Sequence, residues 1–138
     1  MKVVLDTNVL VSAILKPKSP PARILRLILQ GDIELVVNQA ILTEYTEVLA
    51  RPKFQLETGD IAPILDFIQE RAMCAPSLPQ SFQLPDEDDE PFLEACIAVG
   101  ADALLTGNKR HFPTESCLGQ PVLTPREFLQ SLRNRSIL

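Results

Sequence analysis

The chain has 138 residues, 46% of them hydrophobic and 22% charged, which is the length and make-up of one globular domain with a buried core and excludes a disordered chain. Its 13 Lys and Arg against 18 Asp and Glu leave a formal charge of −5, so it does not grip nucleic acid by overall electrostatics, although a few rim cations beside metal-neutralised acids could still hold a backbone, and an acidic surface suits a basic partner. Cys74, Cys96 and Cys117 are widely spaced and form no CxxC pair, which points to a reducing cytoplasm rather than to a disulfide framework or a zinc site.

Lys2 to Leu5 is a short β-branched and apolar run, read as a buried strand. Asp6 and Asn8 interrupt the apolar N-terminus long before a secretory core could form, and no later run approaches the roughly 18 apolar residues of a membrane span. Asn8 to Leu15 reads as a helix ending before Pro17. Ser19-Pro20-Pro21 then opens a second helix, with a capping Ser and Pro in the first turn, that closes at Gly31. Ile33 to Val37 is a second buried strand, and Gln39 to Leu49 a helix with Ile41, Leu42, Tyr45, Val48 and Leu49 at helical spacing.

Thr58 to Met73 carries Ile61, Ile64, Leu65 and Ile68 on one face and reads as a helix capped by Thr58 or Asp60. The Pro- and Ser-rich stretch from Cys74 to Leu84 leaves room for a short strand and a loop. Asp88 or Asp89 caps the next helix, with Pro91 in its first turn and Gly100 at its end. Ala103 to Thr106 and Val122-Leu123 are two further strands. Thr124-Pro125-Arg126-Glu127 is a capping box that launches a last helix through Leu132. Strands without alternation, interleaved with helices, predict a three-layer α/β/α sandwich around a mostly parallel sheet, spanning residues 1–138 as one domain.

Polar and acidic residues recur where strands end or helices begin: Asp6, Glu44, the run Asp86-Glu87-Asp88-Asp89-Glu90, and Asn108. In an open α/β sheet the carboxyl ends of the strands share one crevice. Carboxylates gathered there repel one another unless a divalent cation, Mg²⁺ or Mn²⁺, neutralises them, and the natural substrate then carries phosphate.

Each position also has a plainer account. A helix cap explains Asp6, a solvated helical face explains Glu44 as it does Glu47, and first-turn decoration explains two or three of the five acids. Five exceed what capping requires, and Asp86 and Asp89, three apart, are the pair able to point together into a cleft. A haloacid-dehalogenase-type phosphatase would need a second Asp two residues beyond Asp6, where this chain has Asn8. Thr106-Gly107-Asn108-Lys109-Arg110 is either a strand-ending turn or a place where Asn108 meets metal and Lys109 or Arg110 meets phosphate. His111, the sole histidine, reads as a structural residue beside Phe112 rather than a general base.

Taken in order, Leu5-Asp6-Thr7-Asn8-Val9-Leu10, Glu44, Asp86 to Ala95, Ala101 to Lys109 and Thr124 to Leu129 resemble the PIN domain (PilT N-terminus) family, most closely its toxin components of toxin-antitoxin systems. Any one motif is weak; the ordered set spans essentially the whole chain. The resemblance implies a metal-dependent endoribonuclease acting on single-stranded RNA, with Asp6, Glu44 and Asp89 at the family's first three acidic positions and Asp86 as a neighbouring metal ligand.

The family's fourth position is an Asp in a Thr-x-Asp motif, and here Asn108 follows Thr106. One negative charge fewer weakens a second metal site, so the alternative is a catalytically weak PIN-like module that binds RNA or a partner. A metal-dependent phosphatase on a similar sheet is a third reading. Thr7, Asn8, Ser12 and Thr106 are candidates to position water or phosphate, and Lys109, Arg110 and Lys16 to meet the RNA backbone. The resemblance further implies an antitoxin over the cleft and a homodimer.

Overall fold

The computed structural model describes residues 1–135. Its axis is β1 (Lys2–Leu5), in which Val3, Val4 and Leu5 expose no surface, as a strand covered on both faces must. Then come α1 (Thr7–Leu15), α2 (Pro20–Leu29), β2 (Glu34–Val37), α3 (Gln39–Leu49) and α4 (Thr58–Arg71). The second half supplies β3 (Met73–Cys74), α5 (Glu90–Val99), β4 (Ala103–Leu105), β5 (Val122–Leu123) and α6 (Pro125–Asn134).

The five strands form one sheet in the order β3-β2-β1-β4-β5, every neighbouring pair parallel. The chain winds outward from β1 through β2 to β3, then returns to lay β4 on the other side of β1. With the usual right hand of parallel crossovers, the two directions of winding put α1–α2 and α5 on opposite faces, which accounts for three layers. The reversal lies between β1 and β4, where Val3, Val4 and Leu5 pair with Ala103, Leu104 and Leu105. Such a switch point leaves a crevice beyond the carboxyl ends of the two strands.

Local chemistry fixes how the helices enter this frame. The Ser19 hydroxyl accepts the Ala22 N–H at 3.3 Å to cap α2. Asn38 caps α3 by accepting the Ile41 N–H at 2.9 Å while its amide donates to the Pro91 carbonyl at 3.0 Å, so the starts of α3 and α5 are tied together. Tyr45 is fully buried and its hydroxyl donates to the Leu5 carbonyl at 2.6 Å, pinning α3 to the end of β1. The capping box at α6 forms as expected, Thr124 and Glu127 each accepting the other's backbone N–H.

Three expectations are corrected. The helix predicted through Met73 ends at Arg71, because Ala72 turns extended at φ −70° and ψ 147°. Met73 and Cys74 then pair with Val36 and Val37 as the edge strand β3, and the Ala75 N–H extends the ladder to the Val37 carbonyl at 2.7 Å. Neither Thr58 nor Asp60 caps α4, whose N-cap position is Glu57 with no side-chain hydrogen bond. Nor does Asp88 or Asp89 cap α5: Asp89 holds the N-cap position without a capping bond, and the capping acid is Asp86, whose Oδ1 accepts the Asp88 N–H at 2.9 Å to start the preceding short turn.

Candidate active site at the carboxyl end of the sheet

Asp6 continues the β1–β4 ladder by one residue, its N–H donating to the Leu105 carbonyl at 2.9 Å while its own carbonyl accepts the Val9 N–H at 2.9 Å as α1 begins. The side chain makes no capping hydrogen bond. Its Oδ2 instead accepts the Thr106 hydroxyl at 2.8 Å, and the pair is buried, Asp6 7% exposed and Thr106 0%. Burial raises the Asp6 pKa, with the Thr106 hydroxyl, the Thr7 N–H and His111 pulling it back. A cap therefore does not account for this carboxylate; the end of β4 holds it.

Glu44, half-buried on α3, accepts the hydroxyl of Thr7, one residue beyond Asp6. Glu47, on the same helix, is exposed beside a cavity of about 540 Å³ that Leu42, Thr46 and Gln69 also line. The two acids of α3 thus part company, because residues three apart on a helix lie on adjoining but distinct lines of its surface.

Asp89 is the third carboxylate. Its Oδ2 is buried and has no hydrogen-bond partner among the described residues, although His111 Nδ1 stands 3.4 Å away, near enough for charge but not aligned as a hydrogen bond. Desolvation, then Asp6, with Asp86 and Glu44 adding and His111 opposing, pushes the Asp89 pKa up to about 6. Three carboxylates from β1, α3 and the start of α5 feel one another across the crevice.

The rest of the acidic run is spent otherwise. Asp86 is exposed and capping, Glu90 accepts the Phe82 N–H at 3.0 Å and so holds the Pro-rich loop, and Glu87 and Asp88 are exposed. Farther along the helix, Glu94 does for Leu78 what Glu90 does for Phe82, at 3.1 Å.

Asn108 points to its own loop. Its Oδ1 accepts the Arg110 N–H at 3.2 Å and its Nδ2 meets His111 Nε2 at 3.2 Å. With the amide oxygen identified by the backbone donor, the Nδ2 group is the donor to Nε2, which leaves the proton of the neutral ring on Nδ1, facing Asp89. His111 thus stands at the crevice, between Asn108 and Asp89. Lys109 pairs with Glu127 at 3.2 Å, both about half exposed, whereas Arg110 is exposed. Lys16 lies at the far end of α1, roughly 15 Å from Asp6 at 1.5 Å per residue, and so does not serve the crevice. Asn8 and Ser12 line an adjoining cavity of about 380 Å³.

Asp6, Glu44 and Asp89 are oxygen donors of the kind a hard divalent cation takes, and the unpartnered Oδ2 of Asp89 is the sort of atom such an ion satisfies. In kind the set fits Mg²⁺ or Mn²⁺. In spacing the side chains stand apart: among the described residues no three His, Cys, Asp or Glu side chains converge as a ready metal-ligand group.

Two comparisons bear on this site. The PIN domain family matches residues 2–110, a span that holds Asp6, Glu44, Asp89 and Asn108. The chain is also similar to an uncharacterized protein of Methanocaldococcus jannaschii, 27% identical over 141 aligned residues that cover 94% of this chain and 90% of that one.

Proposed function

Because the chain belongs to the PIN domain family, whose fold is that of nucleases, we propose that it is a metal-dependent endoribonuclease that cuts single-stranded RNA, the toxin of a toxin-antitoxin pair. The observation that supports this reading most is the Asp6 carboxylate, buried at the switch point, left out of any cap and held by Thr106, with Glu44 and Asp89 across the same crevice.

In this reading Asp6 and Asp89, together with Glu44, would hold Mg²⁺ or Mn²⁺. The ion, when bound, lowers the pKa of a water and offsets charge on the phosphate. The protein's own part is positional. Thr106 fixes which oxygen of Asp6 stays free, since its hydroxyl occupies Oδ2. Thr7 orients Glu44 in the same way. His111, its Nδ1 3.4 Å from Asp89 Oδ2, partly offsets the burial and the neighbouring acids that raise the pKa of that carboxyl. Arg110, exposed at the end of the Asn108 turn, is the cation for the RNA backbone, and Lys109 contributes less because Glu127 already neutralises it.

A cytoplasmic site of action, an antitoxin that covers the cleft with a cation among the acids, and a homodimer belong to the same proposal. No helix among the described residues is long and apolar enough to cross a membrane. The test is Mn²⁺-dependent cleavage of a labelled single-stranded RNA, with a chelator control and Asp6→Asn in parallel. Metal-dependent cutting that the variant lacks supports the nuclease. Metal binding without cutting supports the second reading, a binding module, which the engagement of Asn108 with Arg110 and His111 favours.

A further inference from the structure

Beside the acids lies the cavity of about 380 Å³ formed where α1, the start of α2, the turn after β4 and the start of α6 meet. We infer that it is a nucleobase subsite, which receives one base of the single-stranded substrate next to the bond being cut; this inference rests on the nuclease reading above.

Position is the first argument. Asn8 and Gly107, on its lining, are respectively two residues beyond Asp6 and one beyond Thr106, the two residues joined at the switch point. At no more than about 3.8 Å per residue, part of the cavity lining stands within about 8 Å of Asp6, a separation that a base in the cavity and its own phosphate over the carboxylates can span. Size is the second: the volume is at the lower end of the roughly 300–1,000 Å³ that small-molecule pockets span, which suits one nucleoside and not a helix or a strand of a partner.

The chemistry of the walls is the third argument. Pro20, Pro21 and Pro125 supply flat, rigid apolar surfaces against which a base can lie, since desolvating a π-face does not require a particular base. Polar groups are few and placed at the edges. Thr7 and Thr106 spend their hydroxyls on the carboxylates, whereas Asn8 and Ser12 are on the cavity lining, where an amide and a hydroxyl can meet the donors and acceptors of a base edge. Arg126, exposed at the rim, offers a guanidinium to a flanking phosphate. Gly107 leaves the space open: a Cβ built there meets nothing within 4 Å.

The test uses the wild-type protein first. A labelled single-stranded RNA containing one cleaved bond is prepared intact and with an abasic nucleotide at each position in turn, and Mn²⁺-dependent cleavage is measured alongside chelator-treated binding by fluorescence anisotropy. The subsite predicts that one abasic position adjacent to the bond weakens binding and raises KM about tenfold with kcat nearly unchanged. Gly107→Leu, with folding checked by circular dichroism, should impose the same loss on intact RNA and no further loss on that abasic RNA, because both changes remove one contact.

Equal cleavage and equal binding of every abasic RNA would overturn the subsite while leaving the nuclease standing. So would losses from the variant and the abasic position that simply add. Base-dependent binding that Gly107→Leu removes, in a protein that cuts no RNA, would support the subsite and overturn the nuclease.

Discussion

The Thr106 hydroxyl donates to Asp6 Oδ2 at 2.8 Å across 100 residues of chain, joining the carboxyl ends of the two strands that flank the switch point. Thr106→Val removes a hydrogen bond to a charged group and leaves Asp6 more exposed to its own desolvation. The variant should lose about 1.5–3 kcal/mol of stability at neutral pH, and the acid limb of its cleavage profile should move to higher pH, since Thr106 is among the influences that lower the Asp6 pKa. Denaturant unfolding and a pH–rate profile check the two effects.

Asp89 gives a stability prediction with a definite sign. Its folded pKa is raised from 3.8 to about 6, so the folded state binds the proton more tightly than the unfolded one. The stabilisation from that proton is fully present below about pH 4 and is lost as pH rises through 6. In chelator-treated protein Asp89→Asn should raise the midpoint of thermal unfolding at pH 7 and flatten its change between pH 4 and 6, and with Mn²⁺ present it should reduce cleavage. A variant less stable than wild type at pH 7 would contradict the buried repulsion.

Asp6→Asn keeps the size of the side chain and an acceptor for Thr106 while removing the charge. It should fold and fail to cut, by three orders of magnitude or so in rate. Glu47→Gln, exposed on α3 beside a separate cavity, should cut within about twofold of wild type. Gel-based cleavage of one RNA by both variants is the check, and unchanged cutting by Asp6→Asn would remove the nuclease assignment.

Asn108→Asp tests what the fourth position does. The new oxygen still accepts the Arg110 N–H, but the amide donor to His111 is gone. Manganese affinity and cleavage should change by no more than about threefold, because the side chain is committed to its own turn. A gain of tenfold or more would mean that the carboxylate swings into the crevice as a ligand.

For the backbone contacts, Arg110→Ala should weaken RNA binding and shrink the salt dependence of log affinity by about 0.7, one phosphate contact on a single strand. Lys109→Ala should do less, its charge being balanced by Glu127 at 3.2 Å. Titrations at several salt concentrations separate the two.

The local elements were legible in the sequence because their causes are local. The β-branched, unalternating run at Val3-Val4-Leu5 announces a strand covered on both faces, Ser19-Pro20-Pro21 and Thr124 to Glu127 announce helix starts, and Gly100, at φ 64°, closes α5. Where the reading failed, a non-local partner decided. Ala72 and Met73 continue a helical pattern, but Ala72 turns extended and Met73 is taken into a strand with Cys74 by the open edge of β2, an edge that no window of sequence contains.

The candidate site divides along the same line. The sequence by itself determined that acids would sit at strand ends, that Asn108 stands where an Asp is usual, and, through the ordered motifs, that the chain resembles PIN domains. It narrowed the five consecutive acids to Asp86 and Asp89 but could not choose between those two, since both suit a helix dipole equally. Only the tertiary structure brought Asp89 within reach of the charge of Asp6, gave Asp86 and Glu90 to capping and to the loop, set Thr106 on Asp6, and brought His111 to Asp89. Those assignments depend on which groups meet after the chain has folded, and burial, charge and hydrogen bonding act between atoms that are near in space, however far apart they are along the chain.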